Sequence, residues 1–136
     1  MTNEELNLWL AINVEGYTET AQPDDHTATE VRQCYKHTAA GQTEWRVLVS
    51  RPYHNRHLPT EMPFAHSWTN YNPTINPAIA MGVLKKCADR CAEFSNEVTL
   101  TKCETGEWAV STCWTESIAE TLELAICKFA YELFKK

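Results

Sequence analysis

The chain has 136 residues, 43% hydrophobic and 22% charged, with a net charge of −6. That length supports a single domain, residues 1–136, with one core, and the composition is globular, not disordered. The acidic balance excludes affinity for long nucleic acid, which needs a dominant basic surface.

The N-terminus brings Glu4 and Glu5 early and has no long apolar run. It reads as neither a signal peptide nor a membrane span, so the expected compartment is the cytoplasm. Six cysteines occur without a Cys-x-x-Cys pair. Without secretion they are expected to be small buried apolar residues, with no metal and no other cofactor. A zinc site from Cys87, Cys91 and a histidine is the alternative, although the usual ligand spacing is missing.

Thr2 with Glu5 forms a capping-box pattern, and Leu6, Trp9, Leu10 and Val14 recur at helical spacing. This predicts a helix from about Asn3 to Val14, closed by Gly16. Residues 17–30 are polar and aperiodic and read as a loop or a poorly ordered arm. Two β-type segments follow, Glu30–His37 and Thr43–Arg51. Gly41 in the polar gap between them signals a hairpin. Trp45, Val47 and Val49 should share one face, with Arg46 and Leu48 on the other. Arg32, Lys36 and Arg46 are expected to decorate the hairpin's surface.

From Pro52 to Pro77 the chain has five prolines and no sustained period. Its aromatic content argues against disorder, so an ordered loop folded over the sheet is expected. Asn76 and Pro77 look like an N-cap and first helical position. Ala80, Leu84, Cys87, Cys91 and Phe94 then predict a helix from about Pro77 to Phe94. Val98 and Leu100, a turn at Glu104–Glu107, and Trp108, Val110 and Thr112 form a second hairpin. The last helix should begin between Ser117 and Glu120, which make another capping box, and bury Ile118, Leu122, Ala125, Ile126, Phe129 and Leu133. The order α-β-β-α-β-β-α gives an α+β class with one four-stranded antiparallel sheet flanked by helices.

The opening Thr2-Asn3-Glu4-Glu5-Leu6-Asn7-Leu8-Trp9-Leu10-Ala11 with Val14 resembles the start of the phage ABA sandwich domain family. Asn70-Tyr71-Asn72-Pro73 leading into a helix resembles it too, as does Thr121-Leu122-Glu123-Leu124-Ala125-Ile126-Cys127 running on to Ala130. The resemblance spans the two ends and the central helix, roughly half the chain. It implies helix–sheet–helix layers and a bacteriophage or prophage origin. It brings no catalytic residues with it, because its motifs are caps and core stripes.

Where the resemblance thins, the composition is unusual. Val31–Tyr71 holds Arg32, Lys36, Arg46, Arg51 and Arg56 against Glu44 and Glu61, a balance of +3 in a chain of −6. Four of the five histidines fall in it, as do six aromatic residues. Arginine forks suit phosphate, and aromatic faces stack on bases. The ligand-binding residues expected are Arg46, Arg51, Tyr53, His54, Arg56, His57, His66, Trp68 and Tyr71. The expected function is a small phage accessory protein that sequesters a small anionic nucleotide signal, without catalysis. The alternative is a protein–protein inhibitor of a host enzyme or defence protein, since Tyr, Trp and Arg also dominate binding hot spots. An uncovered sheet edge would favour a homodimer.

Catalysis by His54, His57 and His66 on a phosphodiester is a third reading. Against it, Ala28, Ala39 and Trp68 stand two residues after His26, His37 and His66, where two-histidine phosphodiesterases carry Thr or Ser. The chain also has no Gly-x-Ser-x-Gly elbow, no phosphate-cradling glycine loop and no His-Glu-x-x-His.

Overall fold

The structure is a computed structural model that describes residues 1–21, 32–52 and 64–135. The first helix, α1 (Asn3–Asn13), starts as its capping box dictates. Thr2 Oγ1 accepts from the Glu5 N–H at 3.1 Å, and Glu5 Oε2 accepts from the Thr2 N–H at 3.4 Å. Gly16, at φ +77°, lets the chain reverse so that the Tyr17 N–H donates to the Ala11 carbonyl at 2.9 Å. That left-handed turn would strain any side chain-bearing residue.

Four strands follow. β1 (Thr18–Glu19), β2 (Arg32–Ala39), β3 (Gln42–Pro52) and β4 (Phe64–Asn70) lie in that order in one sheet. β1 runs parallel to β2, and the other pairs are antiparallel, so the sheet is mixed. The β2–β3 hairpin closes through Ala40 and Gly41, at φ 53° and 77°. Two positive φ values in a two-residue loop are what the right-handed strand twist requires.

Two elements depart from the sequence reading here. β1 lies in the stretch expected to be loop, and two residues are too few to show a period. β4 lies in the proline-bounded stretch expected to be a loop over the sheet. Residues 64–70 alternate large with small, but neither set is uniformly apolar, so the period of two stays hidden from a hydrophobicity scan. Residues 53–63, the rest of that expected loop, are outside the described residues.

Helix α2 (Pro77–Ala92) begins at Asn76, whose Oδ1 accepts from the Ala78 and Ile79 N–H groups. It ends short of Phe94, which is exposed, and Val83 joins Ala80, Cys87 and Cys91 inside. A second, three-stranded antiparallel sheet contains β5 (Thr99–Lys102), β6 (Trp108–Ser111) and β7 (Glu116–Ala119). Gly106 makes the β5–β6 turn at φ +91°. The last helix, α3 (Leu122–Phe134), is capped by Thr121, whose Oγ1 accepts from the Leu124 N–H at 3.2 Å.

The expected helix start at Ser117 is therefore displaced. Ser117 pairs with Val110 and Ile118 with Ala109, across from β6. Tertiary pairing overrides the local Ser-x-x-Glu pattern, and Ile118 turns outward on a strand instead of joining a helix stripe. The single four-stranded antiparallel sheet is likewise replaced by two sheets. The class is α+β, with three helices and seven strands among the described residues.

Packing centres on α3. Ala125, Ile126, Cys127, Phe129 and Ala130 are all buried, a wider face than one stripe, because α3 packs against α1 and α2 and also against β6 and β7. α1 in turn packs on β2 and β3. The core joins Leu6, Leu10, Val47, Val83, Val110 and Phe129. Two polar links brace it. Asn7 Oδ1 accepts from the buried Thr74 N–H at 3.2 Å, and Lys86 Nζ meets Glu15 Oε2 at 2.9 Å.

Candidate functional site

Strand register decides which side chains meet, because directly paired residues share a face. On the face of the four-stranded sheet turned away from Val47 and α1, the pairing builds three rows. Tyr35, Arg46 and Asn70 form the first. Gln33, Leu48 and Trp68 form the second, and His37 with Glu44 the third. Arg46 is thus flanked by a phenol on one strand and a carboxamide on the other.

Asn70 Oδ1 accepts from Arg46 Nε at 3.2 Å, which fixes the plane of the guanidinium. Among the described residues no carboxylate forms an ion pair with Arg46. Trp68 and Tyr35 meet edge to face with ring centroids 4.8 Å apart, and His37 lies 6.3 Å from Tyr35. Leu48 is fully buried in the row between Gln33 and Trp68, while Tyr35, Arg46 and Trp68 are half-buried. The result is an apolar floor with two aromatic rings and an oriented cation above it. Such a face can stack a flat ring and hold an anion beside it.

The expected basic strip is divided by the same register. Arg32 and Lys36 sit on the opposite face from Arg46, in line with Cys34. Arg32 Nη2 donates to the Glu15 carbonyl at 2.8 Å and its guanidinium covers the Tyr17 ring at 5.1 Å. Lys36 pairs with Glu4 at 3.6 Å. Both cations are engaged in holding α1 and the following turn to the sheet, so the three do not decorate one surface.

Of the residues singled out in the sequence, Arg46 and Trp68 are brought together. Tyr71 is not among them. It is 5% exposed, belongs to the core, and its phenol is pushed up in pKa by burial, with Glu15 adding to the shift. Its N–H donates to the Trp45 carbonyl at 2.7 Å, which ends the sheet pairing. Arg51 and His66 occupy β3 and β4, opposite Ala65 and Ser50, and their side chains lie outside what is described. Tyr53, His54, Arg56 and His57, like His26, are outside the described residues. Tyr35 and Asn70 were missed. Only the register shows them, since Tyr35 is 11 positions from Arg46 and Asn70 is 24.

The cysteines divide by burial. Cys34, Cys87, Cys91 and Cys127 are buried, Cys103 is half-buried and Cys113 exposed, all as free thiols. Burial raises Cys87 and Cys127 to about 12 and Cys34 to about 11. Among the described residues no three His, Cys, Asp or Glu side chains are grouped to hold a metal ion, and no helix is long and apolar enough to cross a membrane.

No family model, no curated protein and no solved structure matches this chain. The site is therefore read from its own residues.

Proposed function

We propose that this chain is a non-catalytic binding protein that captures a small anionic ligand of the nucleotide class on the outer face of its four-stranded sheet. The observation that carries the reading is Arg46, oriented by Asn70 at 3.2 Å and set one row from Trp68. A phosphate would take the guanidinium while a base lies against Trp68 and Tyr35. Charge pairing and stacking suffice for sequestration, and no reacting group is asked for. The resemblance to the phage ABA sandwich domain family, helix–sheet–helix layering included, adds a setting. In it a small phage accessory protein removes a nucleotide alarm signal in the host cytoplasm. Self-association through a sheet edge belongs to the same proposal.

The experiment is to purify the protein from a signal-producing bacterial host and analyse the small molecules released on denaturation. The reading expects a stoichiometric ultraviolet-absorbing anion, lost in Arg46→Ala. Absence of any such compound from the unmodified protein counts against it. Inhibition of a host protein is the second reading. It is favoured by Phe94 and Trp114, exposed by 61% and 64% and packed edge to face at 6.2 Å. Such aromatic pairs mark interaction surfaces. A single stoichiometric bacterial partner, released by Trp114→Ala and not by Arg46→Ala, would decide for it.

A further inference from the structure

We propose that the chain has a second site, a slot along the edge of β3 left unpaired among the described residues, that takes an extended peptide segment of neutral or basic character from a partner protein. The strand pairing creates the edge. β3 is 11 residues long and pairs with β2 from Gln42 to Val49, but with β4 only from Arg46 to Pro52. Beyond that, the Tyr71 N–H reaches the Trp45 carbonyl at 2.7 Å, and the chain then leaves the sheet through Asn72, Pro73 and Thr74.

In an antiparallel pair each residue turns both backbone groups to one side, and successive residues alternate. The Trp45 carbonyl faces the β4 side, so the Thr43 N–H and C=O face it too, past the point where β4 has ended. Beside them lies a cavity of about 410 Å³, bounded by Gln42 through Trp45 on one wall and by Asn7, Tyr71 and Asn72 among the residues opposite. That is within the range of ligand sites, roughly 300–1,000 Å³.

The chemistry of the walls selects the occupant. Trp45 and Tyr71 are 8% and 5% exposed, yet the Trp45 indole N–H and the Tyr71 hydroxyl find no hydrogen-bond partner among the described residues. The Asn72 Oδ1 is in the same condition. These three atoms are closed to solvent, so the groups the slot itself offers an occupant are the Thr43 N–H and C=O, which have no backbone partner among the described residues. A peptide strand supplies donors and acceptors alternately at the matching spacing, which is how edge strands recruit partners. Glu4 and Glu44 line the slot and no Lys or Arg does; Lys36 meets Glu4 at 3.6 Å from outside the lining, so Glu44 carries most of the field that disfavours acidic segments. The slot adjoins the Arg46 face, since Glu44 and Asn70 border both, but its charge preference is the opposite one, and the Thr43 amide and the Trp68 indole report on the two separately.

The test follows backbone and side-chain N–H resonances of the full chain during titration with two blocked tetrapeptides, Val-Lys-Val-Lys and Val-Glu-Val-Glu. The basic peptide is expected to shift the Thr43 amide and the Trp45 indole N–H saturably, leaving the Trp68 indole in place. The acidic peptide should bind weaker by about tenfold or more, a preference worth one decade in affinity. Combining Glu4→Gln with Glu44→Gln, both at exposed or half-buried positions, should remove that preference and keep the fold. The proposal is overturned if neither peptide moves the Thr43 amide or both move it alike in the unmodified protein. A nucleotide that moves it more than the basic peptide overturns it equally.

Discussion

In the proposed binding role, Arg46 stands between two neighbours of opposite effect. Asn70 holds Nε at 3.2 Å, and Glu44, two residues back on the same face, sets a competing negative charge. The pair predicts opposite outcomes for nucleotide binding. Arg46→Ala removes a charge-assisted contact of about 1.5–3 kcal/mol. Glu44→Gln relieves a solvent-facing repulsion and should tighten binding by about 0.2–1 kcal/mol, or roughly 1.4- to fivefold. Calorimetry on the two variants checks both; a Glu44→Gln variant that binds more weakly would contradict the placement of the anion. At this scale the sequence was partly legible. Arg46 and Trp68 were visible as residue types suited to a base and a phosphate. Tyr71, of equally suitable type, is buried, because its position follows the last paired residue of β4 and turns it under the sheet. Tyr35 and Asn70 become partners of Arg46 only through pairings that no local pattern encodes.

Among the elements, the three helices were the most legible. Thr2 with Glu5, Asn76 with Pro77, and the leucine and alanine spacings of α1, α2 and α3 are local signals, and local hydrogen bonds satisfy them. The strands were less so, and for a consistent reason. β1, β4 and β7 are held by partners elsewhere in the chain, and each is short or lacks a clean apolar face. The end of β7 shows the competition most sharply. Ser117 and Thr121 both offer an N-cap hydroxyl, and pairing of Ser117 with Val110 leaves the cap to Thr121. Thr121→Ala should therefore destabilise the protein by about 1 kcal/mol. Ser117→Ala should leave the helix start intact, read from the Leu124 amide's exchange rate. Equal effects on that amide would mean that Ser117 caps the helix.

For the molecule as a whole, three helices packed on two sheets leave the thiols of Cys34, Cys87 and Cys127 fully buried, and burial sets a pH dependence. Cys87 and Cys127 rise from the ordinary 9.0 to about 12, and Cys34 to about 11, so each keeps its proton longer folded than unfolded. The unfolded chain loses those protons first. Stability is thus fully present below about pH 9 and declines as the pH rises toward the folded values. Thermal unfolding across that range should show Tm falling, and combining Cys87→Ala with Cys127→Ala should make the fall shallower. An unchanged slope would mean that other groups dominate it.

The central claim is that the outer sheet face, and not the basic strip at large, captures a nucleotide. It is tested most directly by following the Trp68 indole N–H and the Arg46 Nε–H resonances while a panel of cyclic mono- and dinucleotides is titrated into the full chain. The account predicts that at least one nucleotide moves both resonances together, saturably and less at high salt, with the Trp45 indole unmoved. Saturable binding that shifts Trp45 or the Thr43 amide while Trp68 and Arg46 stay in place would contradict it, as would no response to any nucleotide.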